Sequence, residues 1–176
     1  MTEAEKEKHK KYIKKCHDLA IKSGKNGYDS FGALVVYEDE ILETAQNTAD
    51  YDKGLFGHAE FNVVHKCANK YSDHILKNST LYTSCAPCVR CLLAILSLGI
   101  TNIVYSVSYD SFAKLLPFIP KIPDYKNIFK KMNINLNMIG PILEEEGMKV
   151  FEYWGGDNRP LEELLEEAEK MRENNR

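Results

Sequence analysis

The chain has 176 residues, 44% of them hydrophobic, with a formal net charge of −3 and a sequence pI of about 6.0. This length and composition predict one globular domain, and the acidic balance argues against nucleic acid as a partner, which usually needs a basic surface. Residues 1–16 lack the apolar core of a secretory signal, and no apolar run approaches the roughly 20 residues of a membrane span. Five cysteines, three of them crowded together, are typical of reduced thiols, so we expect a cytoplasmic protein with no membrane partner.

The first half of the chain predicts a helix, a hairpin and a second helix. Apolar residues recur at three- and four-residue spacing over residues 3–23, which is typical of an amphipathic helix. A strand ending at Tyr37, an acidic turn and a return strand from Ile41 predict the hairpin. Residues 48–57 read as a loop, and residues 58–70 as the second helix.

The second half predicts alternating strands and helices. The segments "STLYTS", "NIVYSVS" and "INLNMIG" read as strands. Between the first two, Pro87 starts a helix that ends at Leu98, because proline fits the first turn and glycine follows. A further helix opens at Pro141 and runs towards Tyr153. The segment "LPFIPKIPDYKN", with three prolines, is expected to be an irregular excursion.

This order of elements predicts an α/β fold with a five-stranded mixed sheet and helices on both faces. The two hairpin strands must be antiparallel, whereas strands separated by helices are expected to be parallel. "GGDNRP" then interrupts the chain before a last, acidic helix. We therefore predict a main domain over residues 1–158 and an acidic C-terminal helical tail over residues 159–176.

Two short segments contain the candidate chemistry, "GHAEFNVV" and "SCAPCVRC". Pro87 in a first helical turn would place Cys88 and Cys91 on one helical face, where the positive end of the helix dipole lowers the pKa of a thiol. His58 opens the other helix and is the best candidate for a third ligand, with Glu60 in the same first turn. Three protein ligands leave a fourth position open, as in a catalytic zinc site.

Other interpretations of these residues stay open when each is taken alone. A single Cys-x-x-Cys pair can be redox active or structural, and a lone histidine is more often a core or surface residue. Cysteines at 85, 88 and 91 could hold an iron–sulfur cluster, although the fourth cysteine would have to be Cys67 or Cys16. The combination of H-x-E with a later P-C-x-x-C is far more specific, because it is the signature of zinc-dependent base deaminases.

With this signature the chain resembles the cytidine deaminase-like superfamily, most closely the branch of guanine deaminases, tRNA adenosine deaminases and fungal cytosine deaminase. "FGALVV", "AQN", "HAE" and "LYTSCAPCVRCLLAI" follow the order of that family over residues 5–155. The resemblance implies a three-layer α/β/α sandwich and one Zn²⁺ per chain. It also implies that Cys88 and Cys91 are the ligands beside His58, and that Cys85 is buried without a catalytic role.

The resemblance further implies a hydrolytic deamination. Zinc lowers the pKa of a bound water, and Glu60 carries protons to the ring nitrogen and the leaving amine. The family pattern places Asn47 and the Ala59 backbone N–H in hydrogen bonds to the substrate ring. It places Phe31 and Ala86 in the wall of the pocket.

The expected substrate is a small amino-heterocycle, with guanine first and cytosine or a nucleoside as alternatives. Guanine deaminases often have an acidic pair after the fourth strand, whereas this chain has "PFIP" at 117–120, so Asp110 or Asp124 would have to replace it. The aromatic segment "VFEYW" at 150–154 resembles the closures of the guanine and cytosine enzymes. A tRNA adenosine deaminase and a non-enzymatic zinc protein are the competing hypotheses.

The sequence also predicts a homodimer. The relatives usually pair through helices near the zinc site, and "CLLAILSLGI" has apolar residues on more than one helix face.

Overall fold

The computed structural model describes residues 1–48, 56–117 and 125–174. Within these ranges the strands are β1 Gly32–Tyr37, β2 Glu40–Gln46, β3 Thr80–Cys85, β4 Asn102–Val107 and β5 Asn137–Ile139. The helices are α1 Glu3–Lys25, α2 Ala59–Ala68, α3 Asp73–Lys77, α4 Val89–Ser97, α5 Tyr109–Ala113, α6 Tyr125–Lys131, α7 Glu144–Met148 and α8 Leu161–Asn174, with a 3-10 helix at Lys149–Gly156. Most of the predicted loop 48–57 and of "LPFIPKIPDYKN" lies outside the described residues.

The five strands form one mixed sheet in the order β2-β1-β3-β4-β5. β1 pairs antiparallel with both β2 and β3, and β3–β4 and β4–β5 are parallel. The predicted hairpin, the mixed sheet and the parallel arrangement of the later strands are confirmed.

Successive side chains of a strand point to opposite sides of the sheet, so alternate residues of the central strands pack into different buried clusters. Leu34, Val36 and Tyr82 pack in one buried cluster with residues of α1. Ala33 and Leu81 belong to a second cluster, which is completed by residues of α2 and α4. Helices therefore cover both faces, which confirms the predicted three layers.

The open edge of the sheet at β2 is covered by side chains from α2 and the residues just after it. The Asn62 amide donates to the Gln46 carbonyl at 3.0 Å, and Lys66 donates to the Thr44 carbonyl at 2.8 Å. The Tyr71 hydroxyl donates to the Leu42 carbonyl at 2.9 Å. These carbonyls belong to alternate residues of the strand, so the contacts line a single edge.

Two helix starts differ from the prediction. The helix expected from Pro87 begins at Val89, because Cys88 has an extended backbone (φ −68°, ψ 164°) and is the N-cap. The helix expected from Pro141 begins at Glu144, because Leu143 has a left-handed φ of 54° that interrupts a helix before that point.

The C-terminal helix α8 packs against the 3-10 helix. Leu161, Leu164 and Leu165 contact the buried cluster that contains Phe151. The proposed division between a domain and a tail near residue 158 stays a prediction. In the described part of the chain, no helix has both the length and the hydrophobicity that a membrane crossing requires.

Candidate metal centre and active site

His58 and Glu60 are positioned by the start of α2. His58 is the N-cap, with an extended backbone (φ −62°, ψ 145°), and Glu60 lies in the first helical turn. A spacing of two within a helix would direct the side chains apart, but a non-helical first residue can face the same point as its neighbour. Both side chains line one small cavity.

Cys88 and Cys91 are positioned in the same way by the start of α4. Cys88 is the N-cap and Cys91 is the third residue of the helix, so the two sulfurs meet at the helix N-terminus. The helices α2 and α4 pack side by side, which brings their N-terminal ends together. The sequence predicts Cys88 inside the first turn, whereas the structure makes it the N-cap. In both positions its thiol lies at the positive end of the helix dipole.

The geometry of the three side chains fits a tetrahedral zinc ion. His58 Nδ1 lies 3.8 Å from Cys88 Sγ and 3.6 Å from Cys91 Sγ. Tetrahedral zinc, with bonds of about 2.3 Å to sulfur and 2.0–2.1 Å to nitrogen, requires a nitrogen–sulfur separation of about 3.6 Å. All three potential ligand atoms lie within 4.8 Å of one another. One imidazole and two thiols are also a donor set that zinc prefers.

The Cys88 thiol is more acidic than an ordinary thiol, whereas those of Cys91 and Cys85 are less acidic. Hydrogen bonds from Cys91 and His58 lower the pKa of Cys88 to about 3. The pKa of Cys91 is raised, because its thiol proton is shared with the Cys88 sulfur. Burial raises the pKa of the Cys85 thiol well above its ordinary value. A cation that binds both ligand sulfurs as thiolates would displace the shared proton, whereas Cys85 remains a neutral thiol.

Glu60 is a buried carboxyl group beside the proposed ligands. Its side chain is 5% exposed, and Oε1 accepts a hydrogen bond from the Thr83 hydroxyl at 3.0 Å. Burial raises the pKa of Glu60, and His58 partly opposes that effect. A raised pKa makes the carboxyl a better proton acceptor than a free one, which suits a group that accepts and then returns a proton.

The cavity at the site is small, about 70 Å³. It is lined by Phe31, His58, Glu60, Cys85, Ala86, Cys88, Tyr109 and Phe112. Small-molecule sites usually measure roughly 300–1,000 Å³, so the described walls suit a compact ligand.

The structure brings six of the eight predicted site residues together, as a group of potential metal ligands and a cavity wall. Asn47 and Ala59 are buried near this group, and Asn47 N donates to the Phe31 carbonyl at 2.9 Å, but neither lines the cavity. Their predicted contacts with a substrate stay predictions. Asp110 is exposed and is not part of the cavity wall, and Asp124 lies outside the described residues.

Four residues of the site were not predicted from the sequence. Tyr109 and Phe112 lie on α5, immediately after β4, and the position at the carboxyl end of a parallel strand was the available signal. Thr83 is one of several polar residues in β3 and has no distinguishing sequence pattern. Only its hydrogen bond to Glu60 in the folded protein identifies it as part of the site. Arg90, between the two cysteines, has Nη2 3.1 Å from His58 Nε2.

Residues 6–107 match the cytidine and deoxycytidylate deaminase zinc-binding region. This match covers more than half of the chain, and the chain therefore belongs to this family of zinc-binding deaminases. The predictions of membership in the deaminase family and of a zinc-binding region are confirmed by this match.

Sequence relatives include deaminases with different substrates. A tRNA-specific adenosine deaminase of Buchnera aphidicola is 31% identical over 97 residues, 55% of this chain and 64% of that protein. A probable cytosine deaminase of Schizosaccharomyces pombe is 26% identical over 156 residues, 85% of this chain and 94% of that protein. A guanine deaminase of Bacillus subtilis is 32% identical over 88 residues, 49% of this chain and 56% of that protein. The matched region thus spans less than two thirds of the first and third of these relatives.

Solved structures confirm the fold. The guanine deaminase of Nitrosomonas europaea superimposes with a TM-score of 0.68 at 17% identity, covering 82% of this chain and 83% of that one. A diaminohydroxyphosphoribosylaminopyrimidine deaminase/reductase of Thermotoga maritima gives a TM-score of 0.62 at 22% identity, covering 84% and 40%. At these identities the likeness concerns the fold alone.

Proposed function

We propose that this protein is a zinc-dependent hydrolase that removes the exocyclic amine from a free nucleobase or a similar small amino-heterocycle. The observation that carries the proposal is that His58, Cys88, Cys91 and the buried Glu60 converge at one small cavity. A purely structural zinc site usually has four protein ligands and does not need a buried carboxyl beside them.

Each of these residues has a role in the proposed reaction. His58, Cys88 and Cys91 would hold the zinc, which lowers the pKa of a water molecule when bound. Glu60 takes a proton from water and delivers protons to the ring nitrogen and to the departing amine, so that water and an amino-substituted ring become a carbonyl and ammonia. The Thr83 hydroxyl fixes one oxygen of Glu60 during these transfers.

We place cytosine first among the candidate substrates. The described walls leave a small cavity of about 70 Å³ and contain no acidic side chain besides Glu60, which suits a compact flat ring. The relative named as a cytosine deaminase is also matched over 94% of its own length, which is more than the other two relatives described above. Phe31 and Phe112 contact each other edge-on, with centroids 5.5 Å apart, and together form one apolar wall against which a flat ring could lie.

Guanine, the substrate preferred from the sequence, is the second candidate. The Bacillus subtilis guanine deaminase is 32% identical over 88 residues, and this relative supports guanine as a candidate. No acidic side chain besides Glu60 lines the described walls of the cavity, so a guanine edge would lack the expected partner there. We therefore place guanine after cytosine.

A panel assay of ammonia release tests the proposal. Cytosine, guanine, cytidine, guanosine and an adenosine-containing tRNA anticodon stem are supplied at equal concentration to the zinc-loaded protein, with Glu60→Gln as the inactive control. We expect release from a free base, with cytosine at least tenfold faster than guanine. Efficient deamination of the tRNA stem without activity on any base would overturn the proposal, and faster release from guanine would reverse our order of substrates.

We also propose that the active protein is a homodimer that pairs through α2 and α4. Leu93 on α4 is 50% exposed, and Phe56, before α2, is 66% exposed and contacts the Phe61 ring with centroids 5.3 Å apart. Large exposed apolar side chains on adjacent helices are typical of an interaction surface. The same helices carry the proposed zinc ligands, so pairing there would also support the site.

A further inference from the structure

The indole of Trp154 is tied to the loop that follows α1. Trp154 Nε1 donates a hydrogen bond to the carboxylate Oδ1 of Asp29. Both side chains are half-buried, and 125 positions of sequence separate them. A hydrogen bond to an ionised acceptor is among the stronger kinds in proteins, so this contact can hold the indole in place.

The Asp29 side of this contact is itself fixed. The Asp29 carbonyl accepts hydrogen bonds from the Ser23 hydroxyl and the Phe31 backbone N–H, both at 2.9 Å. Gly155 N donates to the Tyr28 carbonyl at 3.1 Å, which joins the loop to the 3-10 helix by a second bond. A Cβ atom on Gly24 would lie 2.3 Å from the Tyr153 carbonyl oxygen, so glycine permits this close approach.

The other side of the indole faces the residues of the cavity wall. Trp154 stacks on Phe112, with centroids 5.7 Å apart and an interplanar angle of 17°. It meets Phe31 edge-on, with centroids 5.9 Å apart. Phe31 and Phe112 both line the cavity, whereas Trp154 and Asp29 do not. Phe151 also packs on both of these rings, so a displacement of the indole would remove part of the support behind two walls of the site.

We infer that Asp29 is a positioning residue, which sets the width of the substrate cavity by holding Trp154 against Phe112 and Phe31. The inference rests on the proposed function for its effect on catalysis, but not for its effect on the indole. Because Asp29 acts through Trp154 and contacts no reacting atom, its loss changes substrate binding more than the chemical step. Removal of an interaction that is equal in ground and transition states raises KM and leaves kcat unchanged.

Fluorescence tests the contact without any substrate. Trp154 is the one tryptophan of the chain, so intrinsic emission reports on it alone. We expect Asp29→Ala to shift the emission to longer wavelength and to at least double the rate constant of acrylamide quenching. Asp29→Asn keeps an acceptor oxygen and should retain the wild-type emission. Asp18→Ala, which removes another carboxylate near the 3-10 helix, is the matched control and should leave the emission unchanged.

Kinetics then test the effect on the site. Asp29→Ala should raise KM for the best free base about tenfold and change kcat less than threefold, while Asp29→Asn stays within threefold of wild type in both. Trp154→Phe keeps a ring without the N–H donor, and adding Asp29→Ala to it should change KM no further. If Asp29→Ala does not fold, Trp154→Phe alone provides the answer, because it removes the same hydrogen bond and should raise KM by about the same factor, and an unchanged KM would overturn the inference.

The possible results separate the two proposals. Unchanged emission and quenching in folded Asp29→Ala, equal effects of alanine and asparagine, or additive effects of Asp29→Ala and Trp154→Phe on KM would each overturn the inference about Asp29. A wild-type protein that deaminates nothing in the panel overturns the proposed function, and the fluorescence result still decides whether Asp29 holds the indole.

Discussion

Glu60 has the two properties required of a group that moves protons inside a closed site. It is buried, and the Thr83 hydroxyl holds one of its oxygens in place. A fixed, desolvated carboxyl can transfer a proton without first reorganising water around itself.

Glu60→Gln should retain zinc and the fold but lose activity. The amide cannot accept the proton, and general acid–base groups contribute roughly 10²- to 10⁴-fold, so a group that serves several transfers should reach at least the top of that range. Steady-state ammonia release and zinc content by elemental analysis measure the two effects. Turnover near the wild-type value would show that Glu60 does not carry the protons.

The cysteines allow a matched test of the metal ligands. Cys91→Ser should abolish stoichiometric zinc binding, because the sulfur that faces His58 Nδ1 at 3.6 Å is removed. Cys85→Ser changes a sulfur of the same cavity that stays a neutral thiol, and should keep one zinc per chain. Elemental analysis after dialysis against a weak chelator compares them, and full zinc retention in Cys91→Ser would contradict the proposed ligand set.

At the scale of secondary structure, His17 links three elements. This buried residue of α1 has Nε2 2.8 Å from the Ser106 hydroxyl on β4, and Ser106 also donates to the Leu143 carbonyl before α7 at 3.3 Å. Burial lowers the pKa of His17, and Lys14 acts in the same direction, while Glu146 and Asp18 oppose them. The neutral ring is therefore the form that fits the fold.

Stability should fall when the pH drops below about 6.5, the ordinary histidine pKa. In that range the unfolded chain binds a proton at this position and the folded chain does not, so protonation favours unfolding by up to about 1.4 kcal/mol per pH unit. Urea unfolding at pH 7.5 and pH 5.5 should show a larger decrease for the wild type than for His17→Gln. His65→Gln, on an exposed position of α2, serves as the control, and an equal decrease in all three proteins would contradict this assignment.

Much of the arrangement of elements could be predicted from the sequence, because each long element has its own signal. The period of α1, the turn between β1 and β2, and the glycine after α4 are local patterns. The short helices α3 and α5 have no comparable period, and the start of α4 depends on the extended backbone of Cys88, so these were missed or misplaced.

The convergence of His58, Cys88 and Cys91 could be predicted because these residues keep fixed spacings near helix starts. The partners of those residues could not, since they meet across the fold. Thr83 reaches Glu60 from a neighbouring strand, and Trp154 reaches Asp29 from the far end of the chain. Such pairs depend on strand register and loop paths that no single segment encodes.

At the scale of the whole molecule, the exposed face of α2 and α4 predicts self-association. Light scattering should give about twice the chain mass of 20.1 kDa for the wild type. Leu93→Glu should give the mass of one chain, because a charge would be buried without a partner in the interface. Met132→Glu, at another exposed apolar residue, should leave the dimer intact, and a wild-type mass near 20.1 kDa at micromolar concentration would exclude a stable dimer.

The side chains along the outer edge of β2 have a consequence for solubility. An uncovered edge strand is a template on which another chain can add a strand, and this is a common route to aggregation. Asn62, Lys66 and Tyr71 already occupy the carbonyl groups that an incoming strand would use. The helix that positions Glu60 therefore also covers this edge, and we expect substitutions of Asn62 or Lys66 that leave catalysis intact to increase aggregation.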